Sequence, residues 1–247
     1  MSKPSTSGGN PGRHGKGPAL EPVSETLLGS RAYRALWSGI VDGTIATGAQ
    51  LRPDAIAGQL DISTTPVREA LHRMERDGLV VKLPYRGWFV REFTEQEVRE
   101  LYEMRAALEC CSIQWACERI TPDELAGLRR HQLVGEAALR SGDMDAYRIY
   151  NRDLHATIME AARNAYLSTA MGQLALQSQV LMAKSIRLAG RPSRAIAEHR
   201  ELITLIGKHQ KKAAQKLMER HILSALDDII RFAIPKPVAT PERQIAT

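Results

Sequence analysis

Cysteine and long apolar runs are scarce in this chain of 247 residues. The three cysteines, Cys110, Cys111 and Cys117, are odd in number, lie close together and form no CxxC motif. Such a set argues against a disulfide-stapled secreted protein and predicts a reducing, cytoplasmic environment. No apolar run reaches the roughly 20 residues of a membrane-spanning helix, and the first residues lack the apolar stretch of a secretory signal. We therefore expect a cytoplasmic protein that does not depend on a membrane.

Charge segregation is also weak. Lysine and arginine outnumber aspartate and glutamate by 34 to 28, which gives a formal net charge of +6. The excess is spread evenly, with 12 basic against 9 acidic residues in 1–93 and 22 against 19 in 94–247. A basic balance favours polyanionic partners, but this even spread makes charge alone weak evidence for nucleic acid. Aromatic residues make up only 5% and hydrophobic residues 43%, which suits helices filled with Leu, Ile and Ala.

The chain is long enough for two domains, each with its own core. Residues 1–23 are rich in Gly, Pro and Ser and are predicted to form a disordered arm. A first domain is expected at 24–92, a second at 93–235 and a loose tail at 236–247. The division near residue 92 is the point where strand signals stop.

The first domain carries the signals of three helices and a hairpin. The stretch from Ser24 has helical periodicity, a short helix is predicted near Asp54–Leu60, and a third helix starts near Ser63. After Gly78 the pattern becomes extended, and LVVKLPYRGWFV predicts two short apolar strands around Leu83–Arg86. Together these elements predict a winged helix-turn-helix.

The third predicted helix, within STTPVREALHRMERDGLV (63–80), has two different faces. Apolar residues recur at helical spacing on one face, and Thr64, Thr65 and Arg68 lie on the other. A B-DNA major groove admits an α-helix that reads bases from its first turn. Hydroxyls can reach phosphates or a thymine methyl, and an arginine can bind guanine through two hydrogen bonds. These residues alone leave an ordinary amphipathic helix with a solvated polar face as an alternative.

The second domain is predicted to be entirely helical. TEQE (94–97) and TPDE (121–124) are capping boxes, in which a threonine and a glutamate satisfy each other's backbone amides. Breaks rich in Gly, Asn, Asp and Pro separate the helical stretches. Six helices are predicted, at about 94–119, 122–141, 143–162, 165–189, 193–209 and 211–233.

Three histidines on three of these helices are candidate metal ligands. They are His155, His199 and His221, and Asn151 lies one helical turn before His155. Imidazoles from separate helices can converge inside a bundle. A lone histidine on a core-forming helix is more often a packed core or surface residue, so spacing alone supports a metal site only weakly.

Two long stretches resemble a known family of regulators. GAQLRPDAIAGQLDISTTPVREALHRMERDGLV, followed by PYRGWFV, resembles the DNA-binding domain of the GntR superfamily, most specifically in TPVREAL, ERDGLV and the RG of the wing. Residues 94–233 resemble the all-helical ligand-sensing domain of its FCD branch, in the VanR-like subgroup. The resemblance implies a mainly α protein whose homodimer binds a short palindromic operator and responds to a small-molecule effector.

The resemblance also implies which residues contact DNA: Ser63, Thr64, Thr65, Arg68, Arg86 and Gly87. Gly87 would let the wing backbone approach the duplex closely. The chain departs from the family at Thr64, where Arg is usual, at Pro53-Asp54, and at Asp61, where Gly is usual. Because Asp tolerates a left-handed backbone better than most residues, the turn at Asp61 is expected to persist. The operator is expected to differ from that of typical members.

For the second domain the resemblance implies a metal site and an effector pocket. Many FCD domains carry Asp or Asn four residues before a His, with two further histidines about 44 and 22 residues on, and Asn151, His155, His199 and His221 match this pattern. Neutral imidazoles suit a divalent ion such as Zn²⁺ or Ni²⁺. Arg105 matches a family arginine that faces the pocket and could bind an organic acid. Its alternative role is an ion pair with Glu109, one helical turn away.

Three functions follow from these residues. The first is a transcriptional regulator, a repressor rather than an enzyme, that is controlled by a small carboxylate at the metal site. The second is a metal-dependent hydrolytic enzyme, since three histidines with an open position also describe a catalytic zinc site. No general-base motif such as HExxH accompanies these histidines. The third is a DNA-binding protein with a purely structural metal and no effector.

Overall fold

The computed structural model describes residues 24–186, 188 and 190–232. The predicted arm (1–23) and tail (236–247) lie outside these residues. The described part is mainly α-helical, with a small three-stranded sheet, and it contains two large hydrophobic clusters. None of its helices is long and apolar enough to cross a membrane.

The first cluster is the core of a winged helix-turn-helix, as the sequence predicts. Its elements are α1 (Ser24–Asp42), β1 (Gln50–Leu51), α2 (Pro53–Leu60), α3 (Thr64–Arg76), β2 (Val80–Leu83) and β3 (Gly87–Val90). The antiparallel sheet has the order β1-β3-β2, and Gln50 pairs with Phe89. Strand β1 was not predicted, because two residues are too few to show the alternation of a strand.

The turn between α2 and α3 forms at Asp61. This residue caps α2 with a left-handed backbone, φ 53° and ψ 51°. The expectation that Asp would replace the usual Gly here is therefore confirmed. Helix α3 then buries Val67, Ala70, Leu71 and Met74, none of which is more than 2% exposed. The apolar face read from the sequence is thus the face that packs into the core.

Six helices build the second cluster, as expected. They are α4 (Glu95–Arg119), α5 (Pro122–Ser141), α6 (Met144–Ala161), α7 (Ala165–Ser185), α8 (Arg191–Gly207) and α9 (Lys211–Phe232). Both predicted capping boxes form, at Thr94 and Thr121. Helix α8 begins slightly earlier than predicted, because Pro192 lies in its first turn, where the missing N–H of proline costs little. The long helices α4 and α9 pack against each other most extensively.

Helix α7 contacts both clusters. Its Val180 and Ala183 belong to the core of the winged domain. The Gln177 side chain donates to the backbone carbonyl of Asp77 at 3.3 Å. Gly78, with φ +70°, lies so close to Gln177 that a Cβ at this position would collide with its amide. The domain limits at 24–92 and 93–235 stay predictions, and α7 joins the two regions.

Candidate functional site

The predicted DNA contacts lie on the outer side of α3 and on the wing, the hairpin formed by β2 and β3. Ser63, Thr65, Arg68 and Arg86 are exposed, and Thr64 and Gly87 are partly buried. Ser63 precedes α3 but its hydroxyl makes no capping bond to the helix. The wing packs against α3 through an edge-on contact between the rings of Trp88 and His72, 4.7 Å apart. Helix α3 and the wing are thus neighbours, but these contacts with DNA remain predictions.

Tyr85 at the tip of the wing was missed by sequence reasoning. Its side chain is fully exposed, and its backbone is left-handed with φ 59°. The turn closes with a hydrogen bond from the Arg86 amide to the Leu83 carbonyl at 3.1 Å. A bulky residue in this conformation is uncommon and strained, and such strain collects at functional positions. The only signal in the sequence is an aromatic residue between two short apolar strands.

The three candidate metal ligands come together inside the second domain. His155 on α6, His199 on α8 and His221 on α9 offer ligand atoms that all lie within 4.8 Å of one another. His199 and His221 are buried, at 0% and 3% exposure, and His155 is partly buried. The cluster that spacing alone supported weakly is therefore real in the fold, and it could hold a metal ion.

Each of the three rings is held from behind by a second polar group. The outer partner of each Nδ1 atom is Glu109 for His155, the Tyr150 hydroxyl for His199 at 3.1 Å, and Glu198 for His221 at 2.7 Å. The Nε2 atoms face inward. Those of His199 and His221 are 3.2 Å apart, and the buried Nε2 of His155 has no hydrogen-bond partner among the described residues. Metal-binding histidines are typically oriented in this way.

The outer hydrogen bonds also fix where the imidazole protons are. The Gln132 side-chain nitrogen donates to the Ile196 carbonyl at 3.0 Å, so its oxygen is free to accept from the Tyr150 hydroxyl at 2.5 Å. The Tyr150 oxygen must then accept from Nδ1 of His199. The carboxylate of Glu198 likewise requires a proton on Nδ1 of His221.

Two lone pairs therefore face each other across the 3.2 Å between His199 and His221. Burial and the neighbouring charges of His221 and His155 lower the pKa of His199 well below its usual range, and burial, His155 and Arg191 do the same for His221. Both rings are thus neutral at neutral pH. Without a cation the two Nε2 lone pairs repel each other, and a divalent metal between them would remove this repulsion.

Arg105, the predicted effector residue, forms the alternative ion pair. Its Nε lies 2.6 Å from one oxygen of Glu109, and the other oxygen of Glu109 contacts His155. Burial by itself would raise the pKa of Glu109, but the charges of His155 and Arg105 outweigh it, and the net pKa is well below the usual range. Arg105 also lines two cavities beside the histidines. Its binding of an effector stays a prediction.

Asn151 is buried near the cluster, but the hydrogen bond that its side chain makes goes elsewhere. Its amide nitrogen donates to the sulfur of Met182 at 2.7 Å. It lines a small cavity together with His155 and His221. A role of Asn151 as a fourth ligand stays a prediction.

Sequence reasoning missed several groups that support the site. Arg191 at the start of α8 is 5% exposed, and its guanidinium donates to Ser224 at 2.8 Å and to the His221 carbonyl at 3.2 Å. Tyr150, Gln132 and Glu198 were not singled out either. Glu198 directly precedes His199, but it supports His221 on the next helix, so no spacing along the chain could have revealed its role.

Comparisons with known proteins agree with this architecture. Residues 28–90 match the family described as bacterial regulatory proteins of the gntR family, and residues 100–224 match the FCD domain. The Nta operon transcriptional regulator of Aminobacter aminovorans is 26% identical over 187 residues, which cover 75% of this chain and 86% of that protein.

Two further similarities point the same way. The probable D-xylose utilization operon transcriptional repressor of Paenarthrobacter nicotinovorans is 26% identical over 207 residues, covering 83% of this chain and 89% of that protein. The solved structure of E. coli McbR/YncC has the same fold, with a TM-score of 0.71 and 22% identity over 83% of this chain and 97% of that one. The gntR family and the two relatives named as transcriptional regulators are not enzymes, so the hydrolase alternative falls. The chain belongs to the GntR family of bacterial transcriptional regulators, with a winged DNA-binding domain followed by an FCD domain.

Proposed function

We propose that this transcriptional regulator is a metal-containing repressor whose affinity for its DNA operator is controlled by a small carboxylate. The observation that carries the proposal is the set of three inward Nε2 atoms, each ring fixed from behind by Glu109, Tyr150 or Glu198. Three imidazoles whose Nε2 atoms face inward suit Zn²⁺ or Ni²⁺ and leave coordination positions for water or a carboxylate. When bound, the metal supplies a fixed positive charge that attracts an anionic effector.

The residues proposed to hold the ion are His155, His199 and His221, with the amide oxygen of Asn151 as a fourth candidate. These side chains come from α6, α8 and α9. A bound ion would relieve the repulsion between lone pairs and tie three helices together. Since it binds only the folded chain, it would also raise stability.

On the DNA side, α3 is proposed to enter the major groove with Ser63, Thr64, Thr65 and Arg68. Arg86 and Gly87 would bring the wing close to the DNA backbone. We add Tyr85 as a further DNA contact at the tip of the wing. One recognition helix per chain supports a two-fold homodimer on a palindromic operator. Repression is proposed because a relative of similar length is named a repressor. The cytoplasm is proposed as the location because the three clustered cysteines suit a reducing compartment.

The two activities are proposed to be coupled through α7. This helix lines the cavity beside His155 and also packs into the core of the winged domain. A ligand that displaces α7 would therefore change how the winged domain is held. A structural metal without an effector is the competing possibility.

A double substitution, His199→Ala with His221→Ala, tests the proposal. Elemental analysis should find about one metal per chain in the unaltered protein and none in the variant, with a lower melting temperature. Binding to an operator selected from random DNA should persist, because His199 and His221 lie outside the hydrophobic core of the winged domain. His209→Asn is the control, since His209 lies outside the histidine cluster, Asn tolerates its left-handed backbone of φ 54°, and the Asn amide keeps a donor in place of the ring nitrogen that lies 2.6 Å from the Cys117 carbonyl.

The same preparations test the effector. Organic acids that weaken operator binding of the unaltered protein should have no effect on the double variant. A variant without metal that still responds would show that the metal is structural. An unaltered protein that holds no metal would defeat the metal-based proposal.

A further inference from the structure

A cavity of about 330 Å³ opens beside the histidine cluster, between α4, α6 and α7. At one end lie His155, Arg105 and Glu109, the polar groups described above. Most of the remaining wall is apolar and is formed by Ala156, Met159, Met171, Gly172, Ala175 and Met182. The cavity therefore has one polar end and a long apolar side.

A second, much smaller cavity lies deeper in the bundle. Its volume is about 20 Å³, and it shares Arg105, His155 and Met182 with the larger one while reaching His221 and Arg191. A water molecule needs roughly 10–15 Å³ of such space, so this inner cavity holds about one water or one carboxylate oxygen. The body of any larger ligand must extend into the outer cavity.

The outer cavity sets the size and chemistry of that body. Its volume of about 330 Å³ is more than ten times the 20 Å³ of the inner cavity, so the body of a ligand the size of a substituted ring fits in it. Thioethers are polarisable and make favourable contacts with aromatic rings, and three methionines line this space. Glycine and alanine on one wall leave room for a flat group.

The charges around the cavity favour a single carboxylate. Arg152, the other cation in the lining, is engaged by Asp153 at 2.6 Å, and Glu160 adds a negative charge to the wall. A second carboxylate away from His155 would meet the negative charge of Glu160, and Arg152, whose Nε is paired with Asp153, is the one further arginine in the described lining. A multiply charged acid is therefore disfavoured.

A buried hydroxyl supplies a second, independent sign of a ligand. The Oγ atom of Ser178 on α7 is buried and has no hydrogen-bond partner among the described residues, and Ser178 is 4% exposed and lines the cavity. An unpaired buried polar group is costly unless something binds it. Because the Oγ atom itself is closed to water, a ligand with one polar substituent on its apolar body would satisfy this hydroxyl after the Ser178 side chain rotates toward the cavity.

We infer that the effector is an aromatic monocarboxylate carrying one ring substituent that hydrogen-bonds, with its carboxylate at the His155 end and its ring between the methionines. This inference rests on the proposed function, which places the effector at the metal. It narrows the effector from any organic acid to one chemical class.

A series of ligands on the zinc-loaded protein tests the class by calorimetry. The probes are benzoate, 3-hydroxybenzoate, 4-hydroxybenzoate, acetate and citrate. At least one hydroxybenzoate should bind about tenfold or more tightly than acetate, because acetate leaves the cavity unfilled. Citrate should bind more weakly than the aromatic acids. Tighter binding of citrate or equal binding of acetate would overturn the inference.

A filled cavity provides the matched test. Gly172 lies on α7 in the cavity wall and a Cβ there meets nothing within 4 Å, so Gly172→Leu should fill the space while favouring the helix. Affinity for the hydroxybenzoate should fall about tenfold or more, with metal content and acetate binding unchanged. Gly127→Leu on α5, where the nearest atom is the mobile end of Arg130 at 3.9 Å, is the control.

Ser178→Ala completes the set, and it should remove the preference for the hydroxybenzoate over benzoate. Unchanged aromatic affinity in Gly172→Leu would refute the cavity as the site. An unaltered protein that binds neither metal nor acetate would instead refute the proposed function, because these two measurements do not depend on the aromatic ring of the ligand. The ligand series alone decides the class if Gly172→Leu fails to fold.

Discussion

In the winged domain the predicted DNA contacts stand outside the core, whereas in the FCD domain the candidate metal ligands are part of it. Arg68 is exposed on α3, opposite the buried Val67, Ala70 and Leu71. His199 and His221 are as deeply buried as the leucines and isoleucines around them. Function and stability are therefore separable in the first domain and joined in the second. Four substitutions or titrations can break or sharpen this contrast.

The largest effect is expected from Glu109→Ala. The change leaves Arg105 buried at 6% exposure without its 2.6 Å partner and frees His155 from its outer hydrogen bond. Loss of one partner of a buried pair costs about 3–5 kcal/mol, so the free energy of unfolding should fall by that amount. Glu95→Ala, which breaks the exposed pair with Arg99, should cost under about 1 kcal/mol. If both variants lost the same free energy of unfolding in urea, the buried pair would be no more important for stability than the exposed one.

Acid should destabilise the metal-free protein. Burial lowers the pKa of His199 and His221 in the folded state below the usual 6.5, so the unfolded chain binds more protons once the pH falls below that value. The contribution of these two histidines to the free energy of unfolding is thus fully present above about pH 6.5. It decreases as the pH falls below that value, by up to about 1.4 kcal/mol per pH unit for each histidine.

Urea unfolding at a series of pH values measures this slope. The double variant of His199 and His221 should show a shallower dependence on pH. A slope in the unaltered protein that matches that of the variant would mean that the two rings are not held neutral by the fold.

Arg68→Ala should separate DNA binding from stability. Loss of a bidentate contact to guanine should weaken operator binding by about 1–3 kcal/mol and relax preference at one base pair. Because the side chain is exposed, the free energy of unfolding should change by less than about 0.5 kcal/mol. Fluorescence anisotropy with operator variants and urea unfolding give the two numbers. Unchanged affinity and preference would remove Arg68 from the readout.

The smallest effect is expected at the wing tip. Tyr85→Asn removes the ring but keeps a residue that tolerates φ 59°, so stability should change little. Operator affinity should fall by about 1 kcal/mol, or roughly fivefold. Tyr85→Gly should behave alike, which would show that the ring rather than the backbone makes the contact. An affinity equal to that of the unaltered protein would exclude Tyr85 from the interface.

What the sequence predicted well was local. The apolar face of α3, the capping boxes at Thr94 and Thr121, and the turn at Asp61 depend on residues within a few positions of one another. The ion pair of Arg105 and Glu109 is local too, at one helical turn. Such features can be read from periodicity and residue type alone.

What the sequence could not predict depends on packing between helices. Glu109 contacts a histidine 46 positions away, and Tyr150 contacts His199, 49 positions away. The convergence of the histidines was supported mainly by family resemblance, since their spacing of 44 and 22 residues has no periodic meaning by itself. Strand β1, which adds only Gln50 and Leu51 to the sheet, was too short to leave a pattern.

The two faces of α7 limit how freely this protein could be recombined. Ala175, Ser178 and Met182 line the cavity, while Val180 and Ala183 complete the core of the winged domain. In a chimera joined near residue 93, a foreign winged domain would pack against an α7 whose surface fits the original domain. Gln177 would also lose its hydrogen bond to the Asp77 carbonyl. Biosensors built from this chain should therefore carry the docking face of α7 along with the winged domain, even though more than 80 residues separate them in the sequence.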